Sequence, residues 1–330
     1  MKLGILAHKG TESKYKKAFE ACESLGIEYE MIKLTGANWL KDVQESNANG
    51  FLTWPPKYDE MYSLYMERVY LMQYNLGKLL YPNYEELLPY ENKRMKFQWL
   101  AVNDLPHLPA FITSHRDEAI DYINSAEFPV IFKSKIGSGS QAVKIIRRKK
   151  EGLKIINNVF NTKRPMLASG YAPTKKYYGI PFKQKGNAVK HYVIFQKYID
   201  IKWEWRIVKV GESYFGHRKL LVGDFASGSH KKAWGFPPIE LIDLIDRVCE
   251  LGKYRLMSID VLEDKDGNYF INEMAPVHGQ PYPSMMYVDD KPGRLIRNGD
   301  GIVFEEGEFN RFNSHEIRIK HFVDLMENNN

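Results

Sequence analysis

The first third of the chain alternates short apolar runs with stretches whose apolar positions recur at helical spacing. LGILAH (3–8), IEYEMIKL (27–34) and GFLTW (50–54) read as strands, the last stopped by Pro55 and Pro56. Residues 13–25 read as a helix ending at Gly26, and a second helical stretch follows IEYEMIKL. Strands separated by helices pair through crossovers, so this region predicts a parallel α/β sheet. Residues 58–80 carry a longer helical pattern. The turn-rich link YPNYEELLPYENK then places a domain boundary near residue 90.

Beyond that boundary, KRMKFQWLAV and residues 116–125 predict helices around PHLPAFITS. Residues 128–135 and 142–146 are strand-like and joined by a Gly/Ser-rich connection, as in a hairpin. A helical stretch covers 151–160, and residues 161–190, rich in Lys, Tyr, Gly and Pro, read as a long loop or insertion. The last third has an antiparallel rhythm. HYVIFQKYI, EWRIVKVG and ESYFGHRKLLVG are successive strands with Gly211 at a turn. LMSIDVLE and NYFINEMA are joined by Asp264-Lys265-Asp266-Gly267, a hairpin signal. Between them a helix runs over 239–251, with Leu241, Leu244, Ile245, Val248 and Leu251 on one face, after Pro237-Pro238 and before Gly252. No internal repeat is visible.

Composition narrows the class. With 44% hydrophobic and 27% charged residues over 330 positions the chain is globular, with a polar fray at Asn328 to Asn330. Two cysteines, Cys22 and Cys249, support neither a disulfide framework nor a cysteine zinc site, and fit buried residues in a reduced compartment. No signal segment or bilayer-length apolar stretch occurs, so a cytoplasmic protein without membrane insertion is expected. Net charge is +6, with clusters at Arg147-Arg148-Lys149-Lys150 and around Lys175 to Lys190. Such clusters attract polyanions, but solvated loop lysines explain most of them, and no nucleic-acid partner is expected.

Four segments carry candidate chemistry. Lys133 stands ahead of Gly137-Ser138-Gly139-Ser140, where small residues let N–H groups and hydroxyls approach phosphate oxygens. Alone, that segment is equally an ordinary hairpin. It is not a Walker loop, since no Gly-Lys-Ser/Thr follows. Asp260 and Glu273 lie on the two arms of the 256–275 hairpin, each between apolar neighbours. Paired carboxylates repel unless a cation joins them, and hard oxygen ligands suit magnesium; an exposed face of alternating acids is the plain alternative. Asn272 ranks below them, because adjacent strand residues point to opposite faces. Gln196, Lys197 and Ile199 end a strand whose main chain can meet a base edge, with Glu204 and Arg206 just beyond; a plain core strand reads the same way. His217-Arg218-Lys219 precede GDFASGSHKK, where basic groups around a Gly/Ser loop suit a phosphoryl group in transfer. His230 invites a general-base role, although a lone loop histidine is more often merely exposed.

Taken in order, these segments resemble the ATP-grasp fold over residues 90–276, in particular the RimK-type glutamate ligases. The resemblance implies an α/β and α+β protein: a Rossmann-like domain over 1–90, then two α+β subdomains, 91–190 and 191–330, clasping ATP. It implies ATP-contacting roles for Lys93 in ENKRMKFQWLA, for Lys133, and for Ser138, Gly139 and Ser140. Gln196, Lys197 and Ile199 would meet adenine, with Glu204 and Arg206 as the acid-x-Arg pair. Asp260 and Glu273 would hold magnesium, two ions with ATP. The usual Glu-x-Asn reads Glu273-Met274-Ala275 here, so a third ligand is missing or is Asn272. Arg218 stands at the phosphate-contacting arginine, and since no arginine occurs in APVHGQPYPS, Arg218 or Lys231 would stabilise the reacting centre, with Ser227 and His230 near substrate. YPNYEELLPYENK, FKSKIGSGSQAV and DFASGS are also similar to ATP-grasp proteins of surface-polysaccharide biosynthesis, which widens the acceptors to sugar acids and amino sugars. The implied activity is a carboxylate–amine ligase working through an acyl phosphate on small-molecule substrates, as a homodimer by default. An ATP-grasp kinase or a non-catalytic nucleotide-binding protein is the alternative.

Overall fold

The computed structural model describes residues 1–8, 12–56, 59–135, 143–161, 166–168, 187–223, 225–226, 231–276, 283–299 and 301–328. The alternation at the N-terminus gives a parallel sheet. β1 (Lys2–Ala7), β2 (Glu28–Lys33), β3 (Gly50–Thr53) and β4 (Leu80–Tyr81) lie in the order β2-β1-β3-β4, every pairing parallel. α1 (Glu12–Ser24), α2 (Trp39–Glu45) and α3 (Asp59–Tyr74) connect them. β3 is buried throughout, as expected of a strand covered on both faces. The helix expected over 58–80 stops at Tyr74. Gly77, at φ +61°, turns the chain, and Leu80–Tyr81 become a fourth strand. The short helix α4 (Tyr84–Leu87) follows, its N-terminus closed by reciprocal Asn83 and Glu86 hydrogen bonds.

The second sheet is antiparallel, in the order β5-β10-β6-β7: β5 (Ala110–Thr113), β6 (Val130–Lys133), β7 (Val143–Ile146) and β10 (Val193–Lys197). α5 (Lys93–Val102) leads into it, and α6 (Arg116–Ser125) and α7 (Lys149–Val159) cover it through Ile123, Ile155 and Ile156. β10, assigned from the sequence to the 191–330 segment, therefore hydrogen-bonds within the sheet of the 91–190 segment. Part of the expected 161–190 loop is a two-stranded ribbon, β8 (Met166–Ala168) with β9 (Asn187–Val189).

The largest sheet is built on β11 (Ile201–Val210), β12 (Ser213–Lys219), β16 (Leu256–Asp264) and β17 (Tyr269–Ala275), in the order β17-β16-β11-β12. Gly211, at φ +54°, makes the β11–β12 turn. Asp264 closes the β16–β17 turn by accepting from the N–H groups of Asp266 (2.9 Å) and Asn268 (2.8 Å). The short strands β13 (Leu221–Val222), β14 (Phe225–Ala226) and β15 (Lys232–Ala233) follow β12. The sheet continues through β18 (Tyr287–Val288), β19 (Lys291–Asn298) and β20 (Gly301–Glu306), none of which the apolar pattern had signalled. α8 (Ile239–Gly252) buries Leu241, Ile242, Ile245, Val248 and Cys249, whereas Leu251, expected on that face, is exposed. Gly252 does not end the helix in a left-handed turn; Lys253 does, at φ +53°. A side chain at 252 would meet the Tyr254 ring at 2.2 Å.

A last helix, α9 (His315–Glu327), returns to the N-terminal sheet. Phe322 stacks on Tyr81 at 5.0 Å between centroids, and the Tyr81 hydroxyl bonds His321 Nδ1 at 2.8 Å. One continuous core thereby joins Leu3 and Ile5 of β1 to Ile207 and Ile259 of the large sheet. Cys22 and Cys249 are both buried within it, and burial pushes both thiols up to about 12.

Candidate functional site

Strand parity gathers charge on one face of the large sheet. Across four strands, His217 of β12 opposes Arg206 of β11, Arg206 opposes Asp260 of β16, and Asp260 opposes Glu273 of β17. Two residues along, Lys232 of β15 opposes Lys219, and Lys219 opposes Glu204. Arg206 holds Asp260 in a bidentate pair, Nε to Oδ1 and Nη2 to Oδ2, both 2.8 Å. Lys219 donates to Glu204 Oε1 at 2.7 Å and also to Asp260 Oδ2. Glu204, Asp260 and Lys219 are each at most 6% exposed, so these charges are compensated by one another and not by water.

The small sheet and α5 supply two further cations. Lys133, the last residue of β6, donates to Asn272 Oδ1 at 3.0 Å, and Lys96 of α5 donates to the Asn272 carbonyl. Both ammonium groups flank the Phe97 ring, at 5.0 and 4.2 Å from its centroid. Asn272 reaches back with its amide to Glu204 Oε2 at 2.9 Å. It does so because a β-bulge interrupts the β16–β17 pairing. Asp260 opposes Glu273 but Val261 opposes Ile271, so Asn272 is the extra residue. The alternation that ranked Asn272 below Glu273 fails at this point, and both serve the same side.

The electrostatics follow from burial. Burial lowers the Lys133 ammonium well below its usual range, with Lys96 and Lys93 adding repulsion. Burial, then the Lys93 charge, brings Lys96 down to about 7. Burial also raises the Glu204 carboxyl against the pull of Lys219, and the Asp260 charge raises it further. Burial acts to raise Asp260 too, but Arg206 and Lys219 outweigh it and hold that carboxyl well below the carboxylate range. Lys232 is lowered to about 8, by burial and then by Arg206 and Lys219. Several cations here sit in ground that disfavours their charge. Such a site gains from an anion.

The structure thus brings together Lys133, Glu204, Arg206, Asp260, Asn272 and Glu273, with Lys93 close enough to act on Lys96 and Lys133. Gln196 lies in β10, its amide donating to the Leu108 carbonyl at 2.7 Å. Lys197 is exposed at the end of β10, and Ile199 lies in the connection between the two sheets. Arg218 is not brought into this cluster. It opposes Trp205 on the other face of the sheet and stacks over Trp203 and Trp205 at 4.8 and 5.5 Å. Lys231 is exposed, and its neighbour Lys232 is the one in register with Lys219. Ser138, Gly139, Ser140, Ser227 and His230 lie outside the described residues. Sequence reasoning missed Lys96, and it named Lys219 and Lys232 only within a basic stretch, giving the roles there to Arg218 and Lys231. Lys96 was findable, one helical turn from Lys93.

Among the described residues no group of three or more His, Cys, Asp or Glu is placed to hold a metal ion. Asp260 is committed to Arg206 and Lys219, which leaves Glu273 as the acid of the pair outside any ion pair among the described residues. The described residues therefore do not by themselves form a protein-only metal cage.

No family profile matches the chain, and no curated protein matches it. Solved structures do. It is similar to the D-cycloserine synthetase DcsG, at TM-score 0.60 and 12% identity over 99% of this chain and 100% of that one. It is similar to a RimK-domain ATP-grasp protein from Sphaerobacter thermophilus DSM 20745, at TM-score 0.55 and 13% identity, covering 83% and 90%. The ADP complex of the N5-carboxyaminoimidazole ribonucleotide synthetase purK matches at TM-score 0.57 and 12% identity, covering 85% and 70%. At these identities the likeness is one of fold, and the fold of this chain is the ATP-grasp fold, preceded by a parallel α/β layer.

Proposed function

We propose that the chain is an ATP-dependent ligase that joins a carboxylate to an amine through an acyl phosphate. The observation that carries the proposal is the cluster of buried Lys96, Lys133 and Lys219 and half-buried Arg206 against buried Glu204 and Asp260 and half-buried Glu273, in which basic groups outnumber acids. A polyphosphate answers that excess, and the same fold holds ADP in the purK complex. Lys133 and Lys96 bind its phosphates, with Lys93 at the mouth; adenine lies against the connection from Lys197 to Ile199. Glu273 would give one contact to magnesium bound with the nucleotide, which would supply neutralisation of phosphate charge. A carboxylate oxygen of the acceptor attacks the γ-phosphorus, ADP departs, and the amine then displaces phosphate from the acyl carbon. Lys219 and Lys232, in register on the site face, are better placed than Arg218 for the charge that develops. An acceptor from surface-polysaccharide biosynthesis, a sugar acid among them, is compatible with this chemistry.

The ion pairing of Asp260 favours one second reading, a non-catalytic nucleotide-binding protein, because a carboxylate held by two cations is a poor metal ligand. The test is ADP and phosphate release from Mg-ATP across a panel of amino acids, sugar acids and amines, with mass spectrometry of products. Acceptor-dependent ADP with a product formed by loss of water supports the ligase. A stable phosphorylated product would move the assignment to a kinase, and binding without turnover to the non-catalytic reading.

A further inference from the structure

A second group of buried polar side chains lies at the parallel sheet, and the cluster described above does not use it. In the order β2-β1-β3-β4 the strand order reverses between β1 and β3, and open α/β sheets bind ligands outside the carboxyl ends of their strands at such a point. A cavity there is bordered by Ile5 of β1, Thr53 at the end of β3, Trp54, Tyr15 of α1, and His315 and Arg318 of α9. Arg318 is 3% exposed and His315 4%. Nε and Nη1 of Arg318 and Nε2 of His315 are buried with no hydrogen-bond partner among the described residues.

No acid among the described residues neutralises Arg318. Glu86 acts on it only through its field. Its carboxylate accepts instead from Arg255 Nη2 at 2.7 Å and from the backbone N–H groups of Asn83 and Arg255, both at 2.6 Å. The guanidinium lies over the Trp54 ring at 5.7 Å, which offsets little of a buried charge. His315 is the first residue of α9, and Ser314 gives that helix no side-chain cap, so its positive end adds to the same field. Burial, then the Arg318 charge, lowers His315 to about 3 and keeps it neutral. A protein that buries a cation and leaves its donors open loses stability unless something else completes the pair.

We propose that Arg318 and His315 form the anchor for a carboxylate carried by a small-molecule ligand. One guanidinium in a largely apolar cavity balances one carboxylate; a dianionic phosphate would leave a net charge buried. On the ligase reading, on which the identity of the ligand rests, one of the two substrates carries a carboxylate that does not react, as an amino acid or a dicarboxylate does.

The experiment follows thermal unfolding during acetate titration at constant ionic strength, in the native sequence, in Arg318→Met and in Lys133→Met. Acetate is expected to stabilise the native sequence and Lys133→Met saturably, with the midpoint in Arg318→Met shifted by about tenfold or more. An acetate effect that survives Arg318→Met, that is lost in Lys133→Met alone, or that is absent from the native sequence overturns the proposal. A larger Arg318-dependent response to inorganic phosphate than to acetate overturns it as well. If Arg318→Met does not fold, fluorescence of Trp54 during acetate titration, against a Trp54→Phe control, replaces it: a saturable, Trp54-dependent change supports the anchor and its absence overturns it. Mg-ATP binding measured on the same proteins separates the two readings. Acetate anchoring without nucleotide binding sinks only the ligase, and nucleotide binding without anchoring sinks only this site.

Discussion

Lys219 is the residue on which the cluster turns, and replacing it by methionine is the sharpest test of the geometry. Its ammonium bonds Glu204 and Asp260, both nearly inaccessible to water. Methionine fills similar volume and removes the charge. Asp260 keeps its bidentate Arg206 partner, but among the described residues Glu204 retains only the Asn272 amide. Removing one member of a buried pair leaves an uncompensated charge and costs about 3–5 kcal/mol. Against a total stability of about 5–15 kcal/mol, that is about a fifth or more. The pH dependence has a definite sign. Burial already raises the Glu204 carboxyl, and losing Lys219 removes the largest influence that lowers it. A carboxyl that binds its proton more tightly folded than unfolded favours the folded state as pH falls. The deficit of Lys219→Met is therefore full at pH 8 and shrinks toward pH 5. Urea denaturation of both proteins at the two pH values measures it. A loss below about 1 kcal/mol at pH 8, the level of an exposed pair, would refute the buried cluster. So would a deficit that grows on acidification.

Other outcomes follow from the same coordinates. Arg218→Met removes the stacking on Trp203 and Trp205 and is expected to cost about 0.5–2 kcal/mol of stability while leaving Mg-ATP affinity nearly unchanged, as calorimetry of the folded variant would register. Lys232, lowered to about 8, gains its proton when an anion binds, so nucleotide binding at pH 8 takes up protons; calorimetry in buffers of different ionisation enthalpy is expected to find less uptake in Lys232→Met. Gly50→Ala puts a methyl group 2.5 Å from Phe322 Cζ and 2.8 Å from Met326 Sδ, so α9 must shift, at about 1–3 kcal/mol by thermal or urea unfolding.

The elements that were legible in the sequence are those whose signals are local. The parallel N-terminal layer, the β11–β12 hairpin at Gly211 and the β16–β17 hairpin at Asp264 to Gly267 each rest on periodicity or turn chemistry that a single segment carries. What escaped depends on distant partners. Leu80 read as the end of a helix and Tyr81 as the start of a link, because only pairing with β3 makes them a strand. α9 covers the first sheet from the far end of the chain, a placement no local pattern encodes. Lys96 was passed over for Lys93 because a motif specifies one lysine, whereas Lys96, one helical turn on, is the one that bonds the Asn272 carbonyl and feels the Glu273 charge.

Parity decides the rest of the site. His217, Arg218 and Lys219 are consecutive basic residues, and a motif match picks the arginine. The period of two in β12 assigns them otherwise: His217 and Lys219 oppose Arg206 and Glu204, and Arg218 opposes Trp205. The same rule, applied to β17, would separate Asn272 from Glu273, yet one inserted residue at the bulge brings both to the cations. Alternation held on one strand and broke on its neighbour. The difference is a register shift between Asp260 and Val261 that leaves no trace in composition. Deleting Asn272 would restore regular pairing on paper, and would withdraw at once the amide between Lys133 and Glu204 and the carbonyl that receives Lys96. The irregularity is what lets one short strand answer two lysines, Lys133 from another sheet and Lys96 from α5. An anion between the sheets would then meet Lys96 and Lys133 on one side and Lys219 on the other.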